Sequence, residues 1–146
     1  MVVLITGASG FLGSRLAEKI NTFSNYECFC LGFNNIPKIN GIKVNLLNRK
    51  LFFEIIDWIN PDIIIHTAAL TNVDLCQNDF LNAYDVNVKA TKNLVEWTNK
   101  QAKRIRFIYI STDQIYNNLL SSSATESDVS PLNFYGMSKL WAEDIV

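Results

Sequence analysis

The sequence predicts an α/β protein built on a doubly wound parallel sheet, and three observations carry that reading. Short aliphatic runs alternate with helical patterns along most of the chain. Runs such as Ile63-Ile64-Ile65 are apolar throughout, as suits parallel strands covered on both faces. The first run meets a glycine-rich turn, and an amphipathic pattern comes at once after it. A sheet of this kind holds its ligand crevice at the C-terminal ends of its strands.

Val2–Thr6 reads as the first strand, followed by the turn Gly7-Ala-Ser-Gly10-Phe-Leu-Gly13. Glycine there lets the backbone approach a diphosphate, and a helix N-terminus adds unpaired N–H groups and the positive end of its dipole. These glycines fall three apart, which differs from Gly-x-Gly-x-x-Gly. Phe11–Ile20 reads as a helix with Leu12, Leu16 and Ile20 on one face, and Tyr26–Leu31 as the second strand. Gly32–Gly41 carries Gly, Asn and Pro and reads as loop. Ile42–Leu46 is a short third strand. The helix after it turns Leu51, Phe52, Ile55, Ile56 and Ile59 inward until Pro61 breaks it. Asp62–His66 is the fourth strand, a long helix covers about Phe80 to Lys100, and Ile105–Ile110 is the fifth strand. The Ser-rich segment Asn117–Ser130 reads as a mobile loop. A helix begins near Tyr135, and Val146 arrives without a stop signal, as in a fragment or a domain ending mid-element.

The chain has 146 residues, is 49% hydrophobic and carries a net charge of −1. That suffices for one core and a single domain over residues 1–146. Lys100, Lys103, Arg104 and Arg106 cluster where a helix should end, and read as partners of its dipole rather than of nucleic acid. No apolar run reaches membrane-spanning length, and Met1 leads straight into the first strand with no signal peptide ahead of it. Cys28 and Cys30 share a strand face, Cys76 is remote, and none has metal spacing. This pattern reads as reduced, packed thiols in a cytoplasmic protein. His66, the single histidine, closes an apolar strand and reads as a hydrogen-bonded core residue.

Tyr135-Gly-Met-Ser-Lys139 is the second decisive feature. Residues four apart on a helix share a face, so phenol and ammonium are expected to be neighbours. A cation about 4 Å away, at an effective dielectric near 20, stabilises a phenolate by up to roughly 4 kcal/mol. At about 1.4 kcal/mol per pKa unit, the phenol is expected to titrate near neutrality, as a proton donor requires. Ser111-Thr112-Asp113 ends the fifth strand on the same rim, where a hydroxyl can orient a substrate carbonyl or cap a turn. Asn87 shares a helical face with Ala83, Ala90 and Leu94. Its buried amide is either a structural clamp or the holder of a water relay toward Lys139.

Together these motifs resemble the extended short-chain dehydrogenase/reductase family, with its NAD(P)-binding Rossmann fold. Within it, the chain resembles the dTDP-4-dehydrorhamnose reductases and their relatives. The phrases that carry the resemblance occur in family order: Thr6-Gly7-x-x-Gly10-x-x-Gly13, Pro61-Asp-Ile-Ile-Ile-His-Thr-Ala-Ala69, Thr71-Asn-Val-Asp74, Asp85-Val-Asn87, Ser111-Thr-Asp113 and Pro131-Leu-Asn-Phe-Tyr135-Gly-Met-Ser-Lys-Leu140. The resemblance implies that Gly7, Gly10, Phe11, Leu12 and Gly13 cradle a pyrophosphate. It puts Asn45 and Leu46 by the adenine, and Ala68, Ala69 and Thr71 on the nicotinamide side. Tyr135 is then the general acid, Lys139 holds the ribose and lowers the phenol's pKa, and Thr112 orients the sugar oxygen, with Asn87 completing the catalytic set. Val73, Thr112, Asp113, Gln114 and Tyr135 fall to the substrate.

By this resemblance the chain is expected to be an NAD(P)H-dependent reductase of a 4-keto group on a nucleotide-activated deoxysugar, in rhamnose and polysaccharide biosynthesis. The family leaves room for a homodimer and implies neither a membrane nor a nucleic-acid partner. The same residues also serve a nucleotide-sugar epimerase, or a non-catalytic binding or regulatory member. Departures from the pattern are Asn45 where many relatives carry aspartate, Gln114 where dehydratases carry glutamate and reductases an aromatic, and the missing segment beyond the Tyr/Lys helix with its closing strands. At the end of the second strand, Gly32-Phe33-Asn34-Asn35 offers neither acid nor arginine. With Arg15 and Lys38 as candidates for a 2′-phosphate, the reading favours NADP, with NAD also accommodated.

Overall fold

The computed structural model describes residues 1–116, 125 and 128–146. Five parallel strands form one sheet: β1 (Val2–Thr6), β2 (Glu27–Gly32), β3 (Gly41–Lys43), β4 (Ile63–His66) and β5 (Arg106–Tyr109). Their order is β3-β2-β1-β4-β5, so the chain reverses direction across the sheet between β1 and β4. This is the doubly wound arrangement that the alternation predicts, and its crevice opens where the order reverses.

Each face of the sheet buries its own cluster, because successive strand residues point to opposite sides. Leu4, Leu31 and Ile64 pack against Phe52, Ile56 and Ile59 of α2 (Arg49–Ile59) and Leu94 and Trp97 of α5 (Ala90–Asn99). On the other face, Val3, Ile5, Cys28 and Cys30 meet Ala17 of α1 (Phe11–Phe23). The Cys28 and Cys30 sulfurs lie 3.8 Å apart as free thiols, as their shared face predicts. Leu51, expected inward on α2, is exposed instead, while its neighbour Phe52 is fully buried.

Element boundaries differ from expectation for local reasons. α1 runs on to Phe23 and stops where the Ser24 hydroxyl donates to the Ile20 carbonyl at 2.6 Å. β3 ends at Lys43 because Asn45 and Asn48 turn the chain, their side chains accepting from the Leu47 and Leu51 amides. The periodicity gave no sign of α3 (Val73–Asn78), which Asn72 caps. The long helix is continuous but not uniform: α4 (Phe80–Tyr84) and α5 are joined by a π-helical turn over Asp85–Lys89. Lys103 serves the C-terminus of α2 rather than that of its own neighbour, donating to the Asn60 carbonyl at 2.8 Å and the Asp62 carboxylate at 2.9 Å. The expected loop Asn117–Ser130 lies mostly outside the described residues. α6 (Phe134–Glu143) comes next, with Asn133 as its cap. Among the described residues, no helix is long and apolar enough to cross a membrane, and no acidic, histidine and cysteine cluster could hold a metal ion.

Candidate functional site

A cleft of about 760 Å³ crosses the C-terminal ends of the strands. The residues that the resemblance assigns to the pyrophosphate, adenine, ribose and nicotinamide all line it, together with Tyr135: Gly7, Gly10, Phe11, Leu12, Gly13, Asn45, Leu46, Ala68, Ala69, Thr71 and Lys139. Among the described residues of its lining, Lys139 is the only charged side chain.

The glycine turn has two demands on it, and protein packing is the first. Gly7 sits at φ +69°, and a Cβ there would stand 2.5 Å from the Ala68 nitrogen. Gly13 has no more room, with the Gly7 oxygen 2.6 Å from a built Cβ. Gly10 is different: only the Gly7 oxygen, at 3.2 Å, comes near. Gly10 is also the N-cap of α1, and no side chain caps that helix. Its first N–H groups therefore face the cleft without a side-chain partner, a ready anion site.

At the far end, the Asn133 cap starts α6 so that Tyr135 and Lys139 lie one turn apart against β5. The Lys139 ammonium donates to the Ile110 carbonyl at 2.6 Å. Burial brings it down to about 8, while Glu143 acts in the opposite direction. The expected effect on Tyr135 is overturned here. Burial pushes the phenol above the ordinary tyrosine value, the Thr112 hydroxyl beside it pulls the other way, and Cys76 and Asp113 push it further up. Lys139 is not among the groups that set this balance, and its ammonium is directed to the Ile110 carbonyl.

Asn87 resolves as a clamp. Its side-chain oxygen accepts from the Leu70 amide at 2.7 Å, and its nitrogen donates to the Leu70 carbonyl at 3.1 Å and to the Ser138 hydroxyl at 2.8 Å. Both amide donors are thereby spent on the protein, as the clamp alternative expects. His66 is the core histidine expected: Nδ1 lies 2.6 Å from the Thr6 hydroxyl and Nε2 3.0 Å from that of Thr91. Burial lowers it to about 3.

The substrate set is only partly assembled. Thr112 stands by the phenol but spends its oxygen on the Gln114 amide at 3.3 Å. Asp113 and Gln114 border a separate hollow of about 160 Å³ with Tyr116, Leu132 and Asn133. The Gln114 side-chain oxygen accepts from Asn133 at 2.9 Å, and Val73 packs into the apolar cluster around Cys76, Ala83 and Tyr135. Arg15 pairs with Glu18 at 3.0 Å, and neither it nor Lys38 lines the cleft. The Asn45 side-chain oxygen accepts from the Leu47 amide at 2.9 Å. Ser111, which the rim motif contains but to which no individual role was given, lines the cleft with a buried hydroxyl that has no partner among the described residues. The motifs missed Asn82 and Val86, though with Ala90 these share a helical face.

The family model described as RmlD substrate binding domain matches residues 1–146. The chain is 33% identical over 145 residues to a dTDP-4-dehydrorhamnose reductase of Aggregatibacter actinomycetemcomitans, covering 99% of this chain and 46% of that one. It is 36% identical over 148 residues to methionine adenosyltransferase 2 subunit beta of Rattus norvegicus, covering 99% and 42%. A dTDP-4-dehydrorhamnose reductase of Bacillus anthracis, solved in complex with NADP, superimposes with a TM-score of 0.84 at 28% identity over 99% of this chain and 48% of that one. UDP-glucuronic acid 4-epimerase of Bacillus cereus, solved with UDP-glucuronic acid and NAD, gives 0.86 at 27% identity over 99% and 51%. The chain thus spans about half the length of the relatives it matches. With the match running through the glycine turn, the Asn87 clamp and the Tyr135/Lys139 helix, the chain belongs to the RmlD substrate binding domain family.

Proposed function

We propose that the cleft binds a nicotinamide dinucleotide and serves reduction of a 4-keto group on a nucleotide-activated deoxysugar, of the dTDP-4-dehydrorhamnose reductase type. One observation carries the reading: the residues that the resemblance assigns to a dinucleotide line a single cleft, end to end. The residues present fit such a cofactor. An uncapped helix N-terminus suits the pyrophosphate, and among the described residues Lys139 is the one charged side chain of the lining and the Ser111 hydroxyl has no partner. Gly10, Phe11, Leu12 and Gly13 would hold the pyrophosphate, Asn45 and Leu46 the adenine side, and Ala68, Ala69 and Thr71 the nicotinamide side. When bound, the reduced nicotinamide supplies a hydride equivalent.

The chain's own residues account for the proton. A phenol raised by burial stays protonated at neutral pH and so holds a proton for a carbonyl oxygen, although its value lies further from neutrality than the one an efficient acid uses. The Thr112 hydroxyl beside it, which donates to the Asp113 carboxylate at 3.3 Å, would stabilise the phenolate left behind by turning its proton to it. Lys139 keeps a positive charge at the ribose end, and Asn87 fixes the α6 turn that carries both. The test is oxidation of NADPH or NADH on addition of a dTDP-4-keto-6-deoxysugar. Tyr135→Phe is expected to lower turnover roughly a hundredfold to ten-thousandfold with cofactor affinity nearly intact. Unchanged turnover would remove Tyr135 from the reaction.

A second reading, a cofactor-holding subunit of a partner enzyme, is supported by the 36% identity to methionine adenosyltransferase 2 subunit beta. Dinucleotide binding with no turnover of any keto-sugar would favour it.

A further inference from the structure

The end of β5 supplies the floor for the Lys139 ammonium. Lys139 is 3% exposed. Its Nζ lies 4.0 Å from the centroid of the Tyr109 ring while it donates to the Ile110 carbonyl at 2.6 Å. An ammonium has three N–H donors, and the described residues supply an oxygen to only one of them. The face of an aromatic ring carries negative charge, and it attracts a cation more strongly where water is excluded. The tyrosine's own hydroxyl is no part of this contact. It is buried and has no partner among the described residues. A ring is therefore what this position uses.

We propose that Tyr109 is a positioning residue for Lys139: its ring face holds the ammonium against the Ile110 carbonyl at the C-terminal end of β5, on the wall of the cleft. The contact stands by itself; its consequence for a cofactor rests on the function proposed above. The groups around the ammonium are few. Glu143, one turn further along α6, favours its charge. Tyr135 and Tyr109 are both pushed up by burial and stay neutral. His66, beneath on β4, has its ring 5.7 Å from that of Tyr109 and is held neutral by burial and by Lys139 itself. Cys76, which burial pushes up, and Asp113 act on the phenol of Tyr135. A titration near pH 8 in this cluster therefore belongs to Lys139.

The experiment tracks the Lys139 Cε resonance against pH in the full chain, with no ligand added. The wild type is expected to show an inflection near 8. Tyr109→Leu removes the ring and should lower that inflection by roughly half to one and a half pH units. Tyr109→Phe keeps the ring and should match the wild type to within about 0.3 unit. Should the leucine variant not fold, a ring-fluorinated phenylalanine at 109 keeps the shape, drains the face of negative charge, and should show the same downward move. A leucine or fluorinated variant that titrates with the wild type overturns the proposal, as does a Tyr109→Phe shift as large as that of Tyr109→Leu. If the expected shifts appear in a chain that binds no dinucleotide, the proposed function fails and the role of Tyr109 stands.

Discussion

Asn87 donates to the Ser138 hydroxyl at 2.8 Å, tying the π-helical turn to α6 across 51 residues of sequence. Ser138 in turn donates to the Tyr135 carbonyl at 2.8 Å, so the bond reaches the turn that carries the phenol. The same amide holds the Leu70 backbone on the cleft wall. The buried amide is a joint between three pieces of the site.

Asn87→Leu is expected to cost about 1–3 kcal/mol for each buried partner left unpaired. Urea denaturation reads this as a fall in midpoint with little change in slope. A variant as stable as the wild type would mean that the clamp carries no load.

The glycines separate folding from binding. Gly7→Ala puts a Cβ against the Ala68 backbone at a positive φ, and is expected to cost several kcal/mol or prevent folding, at roughly 1–3 kcal/mol for backbone strain alone. Gly10→Ala meets only one oxygen, at 3.2 Å, and is expected to fold while weakening dinucleotide binding by about tenfold or more. Circular dichroism and a binding titration on the pair check both halves. Equal behaviour of the two variants would contradict the division.

His66 gives the fold an acid-sensitive core. Its value falls from 6.5 in the free side chain to about 3 when buried, so the unfolded chain binds the proton first. The stability this residue contributes is complete above pH 6.5 and is lost as pH falls toward 3, by several kcal/mol at about 1.4 kcal/mol per unit. Lys139 has the same sign in another window: its burial penalty holds below pH 8 and is relieved as pH rises toward 10.5. Urea midpoints between pH 7 and pH 4 should fall steeply for the wild type and less for His66→Gln. Parallel slopes would assign the acid sensitivity to other groups.

Cofactor choice turns on what the end of β2 lacks. Asn34 lines the cleft there beside Gly32 and Phe33, and among the described lining residues the one charged side chain is Lys139, which sits at the other end. NADH and NADPH are expected to bind within about tenfold of each other, and Asn34→Asp to weaken NADPH selectively. Strong preference for one cofactor in the wild type would reveal a selector elsewhere.

Much of this was legible in the sequence because the signals were local and redundant. Continuous apolar runs gave the parallel strands, and three glycines with a tyrosine and lysine in family order gave the two ends of the cleft. Other features depend on packing that no local pattern encodes. The sequence shows Tyr135 and Lys139 one turn apart, but only the fold reveals that the ammonium meets the Ile110 carbonyl and that burial raises the phenol. Likewise, Val86 lies in a π-helical turn, which the helical period of the sequence does not show.

The most direct measurement is a fluorescence titration of NADPH and NADH into the purified chain, with folding checked in the same sample. Saturable binding of one dinucleotide per chain, weakened in folded Gly10→Ala, is the predicted result. A folded chain that leaves both nucleotides free at millimolar concentration would contradict the assignment of this cleft.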